Sequence, residues 1–248
     1  EYEFTRRTQT TIGLSETAFS GIQNVAAPMA CSQGEITSDH TPEDYVAKVE
    51  MARKRMHIGD IFEVVMSRKY QIAYHGQPSD IFHMMRRINP SPYEFFFQFA
   101  NEQLIGASPE MFVRVEGDRV ESSPISGTAR RGDNAMEDAE RIQALYNSEK
   151  DEVELTMCTD VDRNDMARIC EPGSVHLIGR RLLERYSRLI HTVDHLEGVL
   201  NKDRDAIDAV LTHMWACTVT GSPKPAAMQT IENMENSPRG WYSGCIGF

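Results

Sequence analysis

From residue 41 onward, apolar positions recur in two alternating rhythms, and the switches between them mark the elements. In TPEDYVAKVEMARKRMHIGD, residues 41–60, Tyr45, Val49, Ala52 and Met56 return every three or four residues as a helical stripe. Thr41 is a candidate N-cap, Pro42 suits the first helical position, Asp44 sits where a capping-box acid belongs, and Gly59 stops the pattern. IFEVVMSRKYQIAY, residues 61–74, is β-branched and aromatic and predicts one strand. A short helix is expected over 81–88, ending before NPSP. YEFFFQFANEQLIGA and MFVRVEGDRVESS predict two hairpins, the second turning at Gly117 and Asp118. From 134 to about 170 the period is helical, with Asp and Glu on the solvent side. SVHLIGR and YSRLIHTVDHLEGVL return to strand, and DAIDAVLTHM and PKPAAMQTIENME to helix. Hairpins interrupted by helices predict an α+β fold rather than a parallel βαβ series. Residues 1–40, rich in Thr, Ser, Gln and Gly, read as a linker or the tail of an N-terminal segment, and 41–248 as one domain.

Charge narrows the function. With 26 Lys plus Arg against 37 Asp plus Glu, the net charge is −11 and basic runs are missing, which excludes non-specific nucleic-acid binding. An anionic substrate therefore needs a locally positive site. Five scattered cysteines without a CxxC pair argue against a zinc ribbon or a disulfide framework and point to a reducing cytoplasm. No apolar run is long enough to span a bilayer and no signal peptide is visible, so no membrane role is expected. The chain opens at Glu1 and stops at SGCIGF, which reads as a strand in mid-course and suggests a piece of a longer protein.

Several segments carry candidate chemistry. In KDEVELTMCTDVDRND, residues 150–165, Asp151, Glu154 and Cys158 share a helix face, and two carboxylates so placed suit Mg²⁺. By spacing alone, a solvated acidic face is the commoner explanation. HTVDH places His191 and His195 four apart without the glutamate of a zinc hydrolase, and its β-branched neighbours favour a strand. TGSPK, residues 220–224, is a turn whose backbone N–H groups could attract an anion. Glu110, ending ASPE, is a lone carboxylate that burial could convert into a general acid.

In order along the chain, GDIFEVV, NPSPY, GASPE, PISGTARRG, DVDRND, RLIHTVDHLEG, TVTGSPKPAAM and RGWYSGCIGF resemble the chorismate-utilising enzymes. The anthranilate synthase component I branch is the most similar, and the wording MCTDVDRND is similar to forms in which synthase and glutaminase share one polypeptide. The resemblance implies two antiparallel sheets packed face to face with helices outside, truncated here. It implies Mg²⁺ as cofactor, chorismate as substrate, and ammonia from a glutamine amidotransferase subunit or fused domain. By matching motif positions it assigns Glu154 as the metal ligand, with Asp151 a ligand through water at most. Gly127, Thr128, Thr218 and Tyr242 become substrate contacts, Glu110 the acid that protonates the departing 4-hydroxyl, and His191 the histidine of the pyruvate elimination. Arg130 and Arg131 support their loop. Pro92, Tyr93 and Glu94 match half of a tryptophan feedback site, with Glu94 replacing an apolar residue.

Ser126 and Glu63 decide which branch is implied. Enzymes making aminodeoxychorismate carry a nucleophilic Lys where Ser126 stands, and a hydroxyl cannot replace that amine. Isochorismate and salicylate synthases carry a Lys base where Glu63 stands, while anthranilate synthases more often have Gln. The resemblance therefore implies ammonia as nucleophile and anthranilate, of tryptophan biosynthesis, as product. Two alternatives stay open: a 2-amino-2-deoxyisochorismate synthase, and a non-catalytic remnant that binds chorismate or tryptophan. The family pattern continues beyond GCIGF with an Arg-bearing strand, a Gly-rich carboxylate loop and a second Mg²⁺ Glu, so the 248 residues alone are expected to be inactive.

Overall fold

Thr41 accepts the Asp44 N–H at 3.1 Å and Pro42 fills the first turn of helix α1 (Pro42–His57), so the start read from the sequence is the start observed. Asp44 does not complete the capping box. Its carboxylate goes to His40 Nδ1 at 2.6 Å and Lys48 Nζ at 3.2 Å, because a side-chain ammonium holds a carboxylate better than one backbone N–H. The helix ends at Gly59, whose φ of +83° disfavours a side chain. The computed structural model describes residues 34–247. The N-terminal tail reading thus falls outside it up to residue 33, as does Cys31.

Residues 61–74 form two short ladders instead of one strand. β2 (Glu63–Val64) pairs with β11 (Gly221–Ser222), and β3 (Tyr70–Gln71) pairs with β1 (Thr37–Ser38). Between them side chains claim the backbone. Tyr45 Oη donates to the Met66 carbonyl at 3.0 Å, and the Ser67 N–H donates to Glu235 at 2.8 Å. Residue type signals extended chain, but partners decide whether a ladder forms.

Two compact units divide the described residues, one of Thr37–Gln71 with the chain from Glu110, the other including Ile72–Pro109. The first holds a five-stranded antiparallel sheet of β6 (Arg114–Glu116), β7 (Arg119–Ser122), β8 (Ile125–Arg130), β9 (His176–Arg185) and β10 (Leu189–Val199). β10 is its axis: β8 and β7 occupy successive stretches of one edge, and β9 takes the other. β6 and β7 form the hairpin read from the sequence, with Gly117 at φ +65° in its turn.

Helices α3 (Ala135–Tyr146) and α4 (Glu149–Ala167) fill the acidic stretch, and α5 (Ala206–His213), α6 (Cys217–Thr220) and α7 (Lys224–Met234) follow β10. Val120, Leu196 and Leu200 pack against Met166, Ile169 and Cys170 at the end of α4 and against Ala209 of α5. This is the core that fixes α4 to the sheet. The class is α+β, with antiparallel strands flanked by helices, as expected. Among the described residues no helix is long and apolar enough to cross a membrane.

Asp194 ties β10 to its surroundings. It is 1% exposed and accepts both the Thr159 hydroxyl and the Arg181 N–H at 2.7 Å. Asp194→Ala leaves the Arg181 N–H without this acceptor, while the Thr159 hydroxyl falls back on the Leu155 carbonyl at 2.8 Å, so a loss of about 2 kcal/mol is expected in denaturant unfolding.

The other unit contains α2 (Pro78–Ile88) and the hairpin β4 (Tyr93–Phe99)–β5 (Glu102–Ser108), with Phe82 stacked on Phe96 at 5.8 Å between centroids. It carries Pro92, Tyr93 and Glu94. Glu94 accepts from Arg86 Nε at 2.6 Å and from the Ser91 N–H at 3.2 Å, so local partners hold this carboxylate.

Candidate active site

Helix α4 sets the spacing of the site. Ser148 caps it, accepting the Asp151 N–H at 3.2 Å. Asp151, Glu154, Cys158, Asp162 and Asp165 then recur every three or four residues along one face. A face that sets acids against the protein is a functional signal, because burying carboxylates is unfavourable.

At its first turn α4 meets Gly127. This residue has φ +82°, and a Cβ there would lie 2.6 Å from Thr192 Oγ1 and 3.2 Å from Asp151 Cβ. That packing already demands glycine. The next residue, Thr128, faces His191 across the β8–β10 ladder, its Oγ1 3.0 Å from Nδ1. The same nitrogen lies 3.2 Å from the Gly127 carbonyl. A carbonyl only accepts, so Nδ1 carries the proton and Nε2 keeps its lone pair. Burial pushes the His191 pKa down, against the opposing pulls of the Gly127 carbonyl and Glu184, so the ring is held neutral. Tyr186 packs edge-on against it at 5.4 Å.

One turn further along α4 lies Glu154, paired with Lys150 at 3.0 Å. Glu63 feels its charge: burial first, and Glu154 second, raise the Glu63 pKa to about 7 against the pull of Lys150. Glu63 Oε2 is buried and finds no hydrogen-bond partner among the described residues. A Glu63 oxygen and the sulfurs of Cys158 and Cys217 lie within 4.8 Å of one another. Thr218 follows Cys217, and its Oγ1 is likewise buried without a partner among the described residues. Tyr242 lies under the Arg239 guanidinium, 4.3 Å from its ring centroid. Arg239 donates to the Val219 carbonyl at 3.0 Å and the Val65 carbonyl at 2.5 Å. It thus ties Tyr242 to the segments bearing Thr218 and Glu63. Burial raises the Tyr242 pKa, which keeps the phenol a donor.

Near the far end of α4, Asp162 accepts the Ser122 hydroxyl. Burial first, and Asp162 second, raise Glu110 to about 7, opposed by a backbone hydrogen bond from Ile125. Burial pushes Asp162 up as well, against the Ser122 hydroxyl it accepts. Asp165 is neutralised by Lys224 at 2.5 Å, and Lys224 also donates to the His213 carbonyl at 2.9 Å. The lysine of TGSPK therefore has a structural ion pair.

The structure brings Gly127, Thr128 and His191 into direct contact and places Glu154, Glu110 and Thr218 along or beside the α4 face, with Tyr242 joined to the segment bearing Thr218 through Arg239. The basic pair of PISGTARRG is satisfied internally: Arg131 pairs with Asp138 at 2.7 Å and donates to the Tyr186 carbonyl, while Arg141 holds the Arg130 carbonyl. Sequence reasoning missed Asp162 and Ser122. The signal was present, since the spacing of Asp151, Glu154 and Cys158 continues to Asp162. For a hard cation, Glu154 and Glu63 offer carboxylate oxygens, one of them buried and unpartnered, and this donor chemistry fits Mg²⁺.

The family of chorismate binding enzymes matches residues 5–248. The chain belongs to this family. It is 54% identical over 217 residues to an anthranilate synthase of Azospirillum brasilense, covering 87% of this chain and 30% of that protein. It is 43% identical over 190 residues to an anthranilate synthase component 1 of Saccharolobus solfataricus, covering 77% of this chain and 45% of the relative. Among solved structures, anthranilate synthase component I from Streptococcus pneumoniae superposes with a TM-score of 0.80 at 32% identity, over 96% of this chain and 52% of that one. The menaquinone-specific isochorismate synthase from Escherichia coli shares the fold at a TM-score of 0.80 and 19% identity, over 90% of this chain and 52% of that one. The chain thus spans half or less of the length of these curated relatives.

Proposed function

We propose that the protein converts chorismate and ammonia to anthranilate and pyruvate as a Mg²⁺-dependent lyase of tryptophan biosynthesis. The observation that carries this reading is a pair of oppositely prepared groups, a Glu110 carboxyl kept protonated up to about pH 7 and a His191 imidazole kept neutral. Glu110 donates its proton to the 4-hydroxyl as that group leaves. His191, anchored through Nδ1 to the Gly127 carbonyl, uses Nε2 to take the ring proton at C2 as pyruvate is eliminated. Thr128, Thr218 and Tyr242 supply hydroxyl donors for the substrate's carboxylates and ring oxygens. Mg²⁺ held by Glu154, with Glu63 beside it, supplies charge neutralisation at the ring carboxylate in an otherwise acidic protein.

Neither Ser126 nor Glu63 offers an amine, which favours free ammonia over a lysine nucleophile or a lysine-activated water. A glutamine amidotransferase supplies that ammonia. The Azospirillum relative, named without a component number, is the one covered to only 30%, against 45% for the Saccharolobus component 1, which supports a fused glutaminase.

The test uses protein expressed from its complete reading frame, given chorismate, ammonium and Mg²⁺ while anthranilate fluorescence is followed. Fluorescence that disappears on chelation supports the reading. A non-fluorescent amino product retaining the pyruvate ether would move the assignment to 2-amino-2-deoxyisochorismate synthesis. Metal-independent binding of tryptophan without turnover would make the protein a regulatory remnant. His191→Asn separates the two steps: amination is expected to continue while elimination slows at least a hundredfold, so the amino intermediate accumulates and is read by mass spectrometry.

A further inference from the structure

The donor cluster of Glu63, Cys158 and Cys217 contains two groups that the lyase reading leaves unused. Both cysteines are 2% exposed, too dry for a solvent-facing role. Three elements bring the donors together: α4 carries Cys158 one turn beyond Glu154, α6 opens with Cys217, and β2 supplies Glu63. The β2–β11 ladder locks the last two, pairing Glu63 with Ser222 and Val64 with Gly221. The backbones approach so closely here that a Cβ on Gly221 would collide with the Glu63 carbonyl. The donors lie within 4.8 Å of one another. A tetrahedral ion spaces two such ligands by roughly 3.3–3.8 Å, so adjustments on the order of 1 Å would complete the geometry.

We propose that Glu63, Cys158 and Cys217 bind a borderline-soft divalent cation of the Zn²⁺ type, as one carboxylate and two thiolates, with a fourth position left for water. Two S–H bonds give up protons to solvent as two metal–sulfur bonds form, and no electrons are transferred. Donor chemistry separates this ion from Mg²⁺, which takes oxygen ligands and leaves thiols alone. The orphaned Oε2 of Glu63 gains a partner. Because Glu63 is also the neighbour of Glu154, the soft ion draws it away from the carboxylate pair and inhibits turnover. That consequence rests on the lyase reading, whereas the binding itself does not.

The experiment titrates Cd²⁺ into the full-length protein without chorismate, in a thiol-free reductant, and follows the thiolate-to-cadmium absorption in the ultraviolet. Wild-type protein is expected to gain a saturable absorption that excess Mg²⁺ does not remove. Cys158→Ala and Cys217→Ala should each lose about half of it and weaken binding by a hundredfold or more. Glu63→Gln should keep the absorption but weaken binding about tenfold. Equal absorption in wild type and the Cys158→Ala/Cys217→Ala double variant, or none in either, overturns the proposal and leaves the thiols as small apolar packing groups. Should the cysteine variants fail to fold, cadmium NMR of the wild-type complex decides by counting sulfur ligands. A two-sulfur site with oxygen supports the proposal, and an oxygen-only or four-sulfur site sinks it. Cd²⁺ binding as expected in a protein inert to chorismate would leave the site standing and remove the lyase reading alone.

Discussion

If the proposed lyase reading holds, Glu110→Gln in protein expressed from the complete reading frame is expected to lower the chorismate turnover number by a factor of about 10²–10⁴, with little change in KM. The amide keeps the shape of the acid but cannot give up a proton to the departing hydroxyl. The wild-type rate should fall as pH rises through about 7, where Glu110 ionises, and the residual rate of the variant should lack that limb. A second readout separates chemistry from folding. Burial and the Asp162 charge lift the folded pKa from 4.5 to about 7, so between these values the folded state holds a proton that the unfolded chain has released. The stability contributed by this group is therefore complete below 4.5 and lost as pH rises through 7. At pH 8 the variant, which has no charge to bury, should be the more stable by about 2 kcal/mol after allowance for partial solvent exposure. Below pH 4.5 the two proteins should converge. An unchanged turnover number would remove Glu110 from the acid role whatever its pKa.

The largest stability effect is expected from Gly127→Ala, a loss of about 3–4 kcal/mol in denaturant unfolding. Two causes add. The residue stands at φ +82°, where a side chain strains the backbone, and the new Cβ falls 2.6 Å from Thr192 Oγ1, whose hydroxyl already donates to the Ser126 carbonyl. Neither β8 nor β10 can retreat readily, since β9 pairs along the other edge of β10 and Asp151 lies behind Gly127. Thr192→Ala in the same background should restore the steric part, on the order of 1–2 kcal/mol, and leave the φ part. Turnover should fall with stability, because the Gly127 carbonyl orients His191 Nδ1. A fully stable variant would mean that the β8 turn is looser than its contacts imply.

The readings that held and those that failed differ in how far apart the deciding atoms lie. Helix α1 was legible because its cap and stop are local: Thr41 bonds to Asp44 three residues on, and Gly59 stands at its end. The hairpin at Gly117 and the strand around His191 were legible for the same reason. Residues 61–74 misled because Glu63 and Tyr70 find unrelated partners, in Ser222 and Ser38. Arg131 supports its loop as the resemblance implied, with Asp138 cancelling its charge a few residues on.

The site divides along the same line. The sequence by itself determined which residue types stand on one face of α4 and that His191 belongs to a strand, since helical and strand periods are properties of neighbouring residues, whereas the pairing that sets Thr128 opposite His191 came from the fold. Only the tertiary structure decided their chemistry. Glu63 is raised by Glu154, and Glu110 by Asp162, across long stretches of chain, while the Gly127 carbonyl selects the tautomer of His191. A pKa depends on burial and on charges in space, and neither is carried by spacing along the chain.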